Sequence, residues 1–151
     1  MIRRITVGFP LLLLALTIAA IFIHVLQGQV LFWGLPALQF YPWRDFAIHE
    51  FAAGRMPLWN PYNGAGAPLL ANYQSAILYP PNILYFLYSG SQMMGWLGIL
   101  HLLWAGLGMF FLARRLQFSA LGQGIAVLSY PLSNTLIGRF GTFPMVDAAD
   151  S

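Results

Sequence analysis

The chain is long enough for one domain but carries unusually little charge. Of its 151 residues, 59% are hydrophobic and 7% are charged, whereas soluble domains carry roughly 25% charged residues. This composition excludes an ordinary soluble domain and indicates an integral membrane protein. The net charge of +3 is too small and too dispersed to predict nucleic-acid binding. The chain has no cysteine, which excludes a disulfide. Its three histidines are too far apart in the sequence to predict a metal site.

The first predicted element is a membrane span over about residues 5–26. Its apolar run is close to the roughly 20 residues that cross a bilayer, and Arg3 and Arg4 precede it. A secretory signal peptide is the alternative, but its apolar region would be only about 7–15 residues and a small-residue cleavage site would follow. We therefore predict an uncleaved signal anchor.

A loop over about residues 27–92 follows and is rich in proline, glycine, asparagine and aromatic residues. Because unpaired backbone groups are costly in hydrocarbon, we expect this loop to lie outside the bilayer or against its surface. Its segments 33–38 and 77–88 are apolar enough to form interfacial helices. A long, ordered loop of this kind is where a membrane protein would hold its functional residues.

The second predicted span runs over about residues 93–113 and ends at Arg114 and Arg115. Positive residues flank the cytoplasmic ends of membrane helices. Both arginine pairs are cytoplasmic only if the loop between the spans is external. The sequence therefore predicts a multi-pass protein with a cytoplasmic amino terminus.

A third apolar stretch, about residues 120–137, contains several polar residues and predicts a broken helix. If it crosses outward, Arg139 lies outside, against the charge rule. The stretch is then either re-entrant, or Arg139 has a specific partner. The chain ends soon afterwards at Ser151, so we expect residues 1–151 to form a single membrane domain that is a fragment of a longer polytopic protein.

Asp45 is the candidate catalytic residue, because it is one of only two acids before Asp147 and lies in the loop near the first span. A carboxylate there can act as general base toward a hydroxyl group. The alternative is an ordinary solvated aspartate paired with Arg44. His49 would share a helical face with Asp45, either as an acid/base pair or through a local hydrogen bond.

Arginine and neutral polar side chains of the loop are candidate binding residues. Arg44 and Arg55 suit bidentate recognition of phosphate, or they are exposed charges attracted to anionic head groups. Trp59 can stack on a sugar ring or belong to an interfacial aromatic belt. Hydrogen bonds to a polyol, or hydrogen bonds that close the loop on itself, are expected from Asn60, Asn72 and Gln74.

His101 lies in the middle of the second predicted span. An ionisable residue inside a membrane is a functional hypothesis, but a proton relay would need further intramembrane acids. The sequence favours a hydrogen bond to another helix.

The loop pattern resembles the YfhO-type family of bacterial polytopic membrane proteins. The resemblance extends over about residues 1–145, and its matching residues are Asp45, Gly54-Arg-Met-Pro-Leu-Trp-Asn-Pro61, Gly66-Ala-Pro68 and Ala71-Asn-Tyr-Gln-Ser-Ala-Ile-Leu-Tyr-Pro80. It implies a glycosyltransferase of the all-helical GT-C fold, with a polyprenyl-phosphate sugar as donor and an extracytoplasmic envelope glycan or polymer as acceptor. It also implies that Asp45, as the acid of the first external loop, is the catalytic base or orients the acceptor.

The sequence and this resemblance together predict an all-α, polytopic, GT-C-like integral membrane protein of the bacterial inner membrane, with interfacial helices in a long first external loop. We expect contact with membrane lipid and no cofactor, metal or nucleic acid. The alternatives are a non-enzymatic membrane protein, such as a transporter part or an envelope-assembly scaffold, and an inactive truncated product.

Overall fold

The computed structural model describes residues 2–30, 36–88 and 90–137, which fold mainly as helices, as the expected all-α class requires. The α-helices are α1 (Ile2–Ile21), α2 (Ile23–Leu26), α3 (Tyr41–Ala52), α4 (Gly90–Arg115), α5 (Ala120–Ser129) and α6 (Asn134–Ile137). The shorter elements are a π-helical turn (Pro36–Phe40), two 3₁₀-helices (Tyr73–Ser75 and Pro80–Phe86) and two antiparallel strands, β1 (Trp59–Asn60) and β2 (Ala67–Pro68).

Helix α4 contains the second predicted span. Its 26 residues extend about 39 Å at 1.5 Å per residue, which exceeds the roughly 30 Å of a bilayer's hydrocarbon core. Among the residues that the structure describes, α4 is the one helix long and apolar enough to cross a membrane. Beyond its last residue the chain turns at Gln117, whose φ is 58°. The Phe118 N–H then donates to the Ala113 carbonyl at 3.0 Å, which closes the helix end.

The first predicted span is interrupted, which differs from the single helix expected over residues 5–26. Helix α1 ends at Ile21, Phe22 adopts φ −102° and ψ 26°, and α2 then continues to Leu26. The β-branched and aromatic run Ile21-Phe22-Ile23 has lower helix propensity than the leucines before it. Helix α1, with 20 residues, is consequently shorter than α4, with 26.

The largest hydrophobic core lies where α1, α2, α4, α5 and α6 meet. Its buried residues are Leu14, Ile18, Phe22, Val25, Ile99, Leu102, Phe110, Val127 and Leu136. Two glycines of α4 allow the backbones to approach closely. A β-carbon added at Gly95 would lie 2.7 Å from Cγ1 of Val25, and one added at Gly106 would overlap the side chain of Leu14. These glycines therefore fix how closely the amino-terminal helices pack on α4.

The third apolar stretch breaks where the sequence predicts a broken helix. Ser119 caps the amino-terminal end of helix α5, and its Oγ accepts the Gly122 N–H at 3.2 Å. It ends at Ser129, and Pro131, which has no N–H to donate, lies in the turn before α6. Arg139, and residues 33–35 of the first predicted interfacial segment, lie outside the described residues.

Candidate functional site

Helix α3 places the chemically distinctive residues of the loop on two different faces. Pro42 occupies its first turn, where the missing N–H costs nothing, and Gly54, at φ +72°, follows its end. A hydrophobic cluster of Phe40, Trp43, Ala47 and Leu69 holds the helix in place. Each face lines its own cavity, so neighbouring residues of α3 contribute to separate sites.

The first cavity, here called the Asp45 cavity, has a volume of about 540 Å³ and a partly polar wall. It is lined by Leu38, Tyr41, Pro42, Trp43, Asp45, Phe46, His49, Glu50, Asn60, Tyr62 and Asn63. The Asp45 side chain is 43% exposed, so its carboxylate is accessible from the cavity. Carboxylate and amide oxygens can hydrogen-bond to a hydroxyl-rich ligand, and the aromatic rings beside them can stack on it.

His49 supports the backbone of α3 rather than the carboxylate of Asp45. Its Nδ1 lies 2.7 Å from the Asp45 carbonyl oxygen, and since a carbonyl only accepts, Nδ1 carries the proton and donates it. The Oδ2 atom of Asp45 is farther away, at 3.6 Å. Of the two alternatives for this pair, the local hydrogen bond is the one observed, and it leaves the carboxylate able to accept from a ligand.

Arg55 forms an ion pair with Glu50. Its Nε and Nη2 donate to the two carboxylate oxygens of Glu50 at 2.8 and 2.6 Å. The hydrogen bonds and charge of Arg55 lower the pKa of Glu50, and the same pair raises the pKa of Arg55. The bidentate edge of Arg55 that could recognise a phosphate is therefore occupied by Glu50.

We expect Arg55→Gln to raise the pKa of Glu50 back to its ordinary value. Glu50 is the only glutamate of the chain, so ¹³C labelling of glutamate gives a single carboxyl signal that NMR can follow with pH. Because the folded-state pKa is lowered, the pair stabilises the fold above the ordinary glutamate pKa. That contribution disappears as the pH falls through the lowered value. An identical titration in the variant would contradict this ion pair.

The predicted amide ligands mainly shape the loop. Asn60 Oδ1 accepts the Tyr62 N–H at 2.9 Å, and Asn72 Oδ1 accepts the Gln74 N–H at 3.1 Å. Asn60 is buried and still lines the Asp45 cavity. The structure does not bring Asn72, Gln74 or Trp59 to that cavity.

The indole of Trp59 instead lies against Gly66. That glycine has φ +96°, and a β-carbon added there would come within 2.8 Å of two carbons of the ring. Trp59 is thereby placed beside the β1–β2 turn, and it is about half exposed.

Arg44 lies on the opposite face of α3 and is buried, with 4% of its surface exposed. Its guanidinium carbon is 5.8 Å from the ring centre of Phe40 and 5.7 Å from that of Tyr85. Burial raises the pKa of the Tyr85 hydroxyl, while the charge of Arg44 and a side-chain hydrogen bond with it act in the opposite direction. Arg44 therefore belongs to an aromatic cage and is not the exposed charge that the sequence offered as one of its two alternatives.

His101 hydrogen-bonds a residue of the loop. Its Nδ1 lies 2.6 Å from the Leu97 carbonyl and therefore donates, so Nε2 accepts from the Tyr79 hydroxyl at 2.7 Å. His101 is eleven positions after Gly90, which is about 16 Å along the axis of α4. The loop thus reaches the middle of α4 rather than staying beyond its end. The 3₁₀-helix Pro80–Phe86 follows Tyr79 directly, and its internal hydrogen bonds pair backbone N–H and C=O groups of this segment.

Comparisons of the chain with protein-family models, with curated proteins and with solved structures found no match.

Proposed function

We propose that this chain transfers a sugar at the outer face of a bacterial inner membrane, as a GT-C-like glycosyltransferase or as the amino-terminal part of one. The donor is a polyprenyl-phosphate sugar and the acceptor is a hydroxyl group of an envelope glycan or polymer. In this proposal the protein is polytopic, its amino terminus is cytoplasmic and the Asp45 cavity faces outward.

The observation that carries the proposal is the partly exposed carboxylate of Asp45 in a cavity that also presents amide and aromatic side chains. In the reaction, Asp45 takes the proton of the acceptor hydroxyl as that oxygen attacks the anomeric carbon of the sugar. The bond from that carbon to the phosphate oxygen breaks, and the lipid phosphate leaves with the electron pair. Trp43 and Tyr62 also line the cavity, and the exposed ring of Tyr62 offers a surface to the acceptor.

The membrane placement is supported by the length of α4 and by the basic pair at its end. Large apolar side chains of α1 and α4 are exposed on the protein surface, as lipid contact requires. They include Phe9, Leu12, Leu16, Trp104 and Phe111. The positive-inside rule then places Arg114 and Arg115 in the cytoplasm.

Arg44 and Arg55, the two candidate phosphate-binding residues, have no role in this reaction. Arg55 is held by Glu50, and Arg44 lines a cavity on the other face of α3. Neither is brought to the carboxylate of Asp45 in the described residues.

A transfer assay tests the proposal. Membranes containing the full chain are incubated with a polyprenyl phosphate that carries a radiolabelled hexose and with a cell-envelope polymer. We expect label in the polymer above that of membranes without the chain. Equal incorporation in the two preparations would contradict the proposal and favour a non-enzymatic protein.

A further inference from the structure

Arg44 is a buried cation whose counter-charge the described residues do not supply. An arginine remains protonated in proteins, and a buried charge is costly unless it is paired. The Nε and Nη2 atoms of Arg44 are buried and have no hydrogen-bond partner within residues 2–30, 36–88 and 90–137. Phe40 and Tyr85 contact the cation through their rings, and Tyr85 also through a side-chain hydrogen bond, but neither side chain brings a negative charge. An anion from outside this part of the chain would complete the site.

The two unpaired nitrogens form the edge of the guanidinium group that suits an oxyanion. Nε and Nη2 point the same way and donate two parallel hydrogen bonds. Arg55 uses this same pair of atoms to hold both oxygens of Glu50. The unpaired edge of Arg44 therefore matches two oxygens of a phosphate or carboxylate group.

Arg44 lines a second cavity of about 330 Å³, here called the Arg44 cavity. Its wall is mainly apolar and includes Ala47, Ile48, Phe51 and Ile77. That volume is within the range of about 300–1,000 Å³ that is typical of small-molecule sites. An ordinary water-soluble anion would leave most of this wall without a partner, whereas a hydrocarbon chain would cover it.

The rim of the Arg44 cavity is accessible to membrane lipid. Leu78, Ile83 and Phe86 line it and are also more than half exposed at the surface. They belong to the loop segment in which Tyr79 contacts the middle of α4. A lipid chain could therefore enter from the side of the protein that lies at membrane depth.

Asn82 adds a requirement for a hydrogen-bond donor. It lines the same cavity and is buried, with 7% of its surface exposed. Its Nδ2 donates to the Ala76 carbonyl at 2.5 Å, but its Oδ1 has no partner within the described residues. A ligand that complements this wall therefore presents a hydroxyl group as well as an oxyanion.

We propose that the Arg44 cavity binds one membrane phospholipid whose head group combines a phosphate anion with a free hydroxyl group. The phosphate oxygens accept from Nε and Nη2 of Arg44, the hydroxyl group donates to Oδ1 of Asn82, and an acyl chain covers the apolar wall. This site is separate from the Asp45 cavity and does not rest on the proposed sugar transfer, so either proposal can fail while the other holds.

Native mass spectrometry of the purified full chain in detergent tests this site. The probes are dioleoyl phosphatidylglycerol, which has the phosphate and free hydroxyl groups, and dioleoyl phosphatidylcholine, which has the same chains but no hydroxyl group. We expect one bound phosphatidylglycerol, with a preference of roughly tenfold or more over phosphatidylcholine. Glycerol phosphate without acyl chains should not bind at the same concentration, because it lacks the apolar contacts. Equal binding of the two lipids, or of glycerol phosphate alone, would overturn the proposal.

Two arginine variants provide the matched comparison. Arg44→Gln should bind phosphatidylglycerol roughly tenfold less tightly or worse, because it removes the partner of the phosphate group, whereas Arg55→Gln should bind it as the wild type does, since Arg55 pairs with Glu50 at the surface. If Arg44→Gln does not fold, Arg44→Lys retains the charge without the bidentate edge and should bind roughly tenfold less tightly. Unchanged binding in the Arg44 variant that folds, or the same loss in Arg55→Gln, would overturn the assignment to Arg44.

Discussion

Asp45→Asn should lower the rate of sugar transfer by about 10²–10⁴-fold, the usual contribution of a general base. Asparagine has nearly the same size as aspartate, but its amide oxygen does not take up the proton of the acceptor hydroxyl. The backbone carbonyl that accepts from His49 is unchanged by the substitution, so α3 should keep its local hydrogen bond. The measurement is the initial rate of label transfer to the envelope polymer, in membranes with equal amounts of each variant.

Two further variants separate a catalytic carboxylate from a merely polar cavity wall. Asp45→Glu keeps a carboxylate, displaced by one methylene, and should retain more activity than Asp45→Asn. Glu50→Gln removes the other carboxylate of the cavity, which already pairs with Arg55, and should have a smaller effect than Asp45→Asn. Full activity in Asp45→Asn, or a larger loss in Glu50→Gln, would contradict the role of Asp45 as base.

Gly106→Leu should destabilise the fold by about 1–3 kcal/mol or more, the usual cost of overpacking a core. The new side chain would overlap Leu14, which is buried with 2% of its surface exposed, and α1 would have to move away from α4. At about 2–4 °C per kcal/mol for a chain of this size, the thermal midpoint should fall by several degrees. Circular dichroism of the chain in detergent measures this change.

Gly108→Leu is the matched control, since it lies in the same helix and receives the same side chain. A β-carbon added at Gly108 has nothing within 4 Å. The substitution should be neutral or stabilising by up to about 1 kcal/mol, because leucine favours the helix more than glycine does. Adding Leu14→Ala to Gly106→Leu should recover part of the loss, since it removes the overlapping atoms. Equal midpoints for the two glycine variants would contradict the observed packing of α1 on α4.

The helices that can be predicted from the sequence are those with a strong local signal. Helix α4 combines a long apolar run with a basic pair at its end, and both features are visible without any tertiary contact. The broken third stretch was similarly predictable from the polar residues and proline within it. The interruption at Phe22 was not, because a short drop in helix propensity within an apolar run gives only a weak signal.

The site was harder to predict because its contacts depend on which face of α3 each residue occupies. The sequence gives Arg44 and Asp45 neighbouring positions, but the structure places them in separate cavities. The burial of Arg44 depends on Tyr85, and the partner of His101 is Tyr79, 22 positions earlier. Contacts over such distances along the chain have no periodic signature in the sequence.

The orientation of the Asp45 cavity is the central claim, and thiol labelling tests it most directly. The chain has no cysteine, so Tyr62→Cys and Leu116→Cys each introduce a single thiol at a position exposed in the wild type. Tyr62 lines the Asp45 cavity, and Leu116 follows the basic end of α4. In intact spheroplasts, a membrane-impermeant maleimide should label Tyr62→Cys, and it should label Leu116→Cys only after lysis. Labelling of Leu116→Cys in intact spheroplasts, with Tyr62→Cys protected until lysis, would contradict the account.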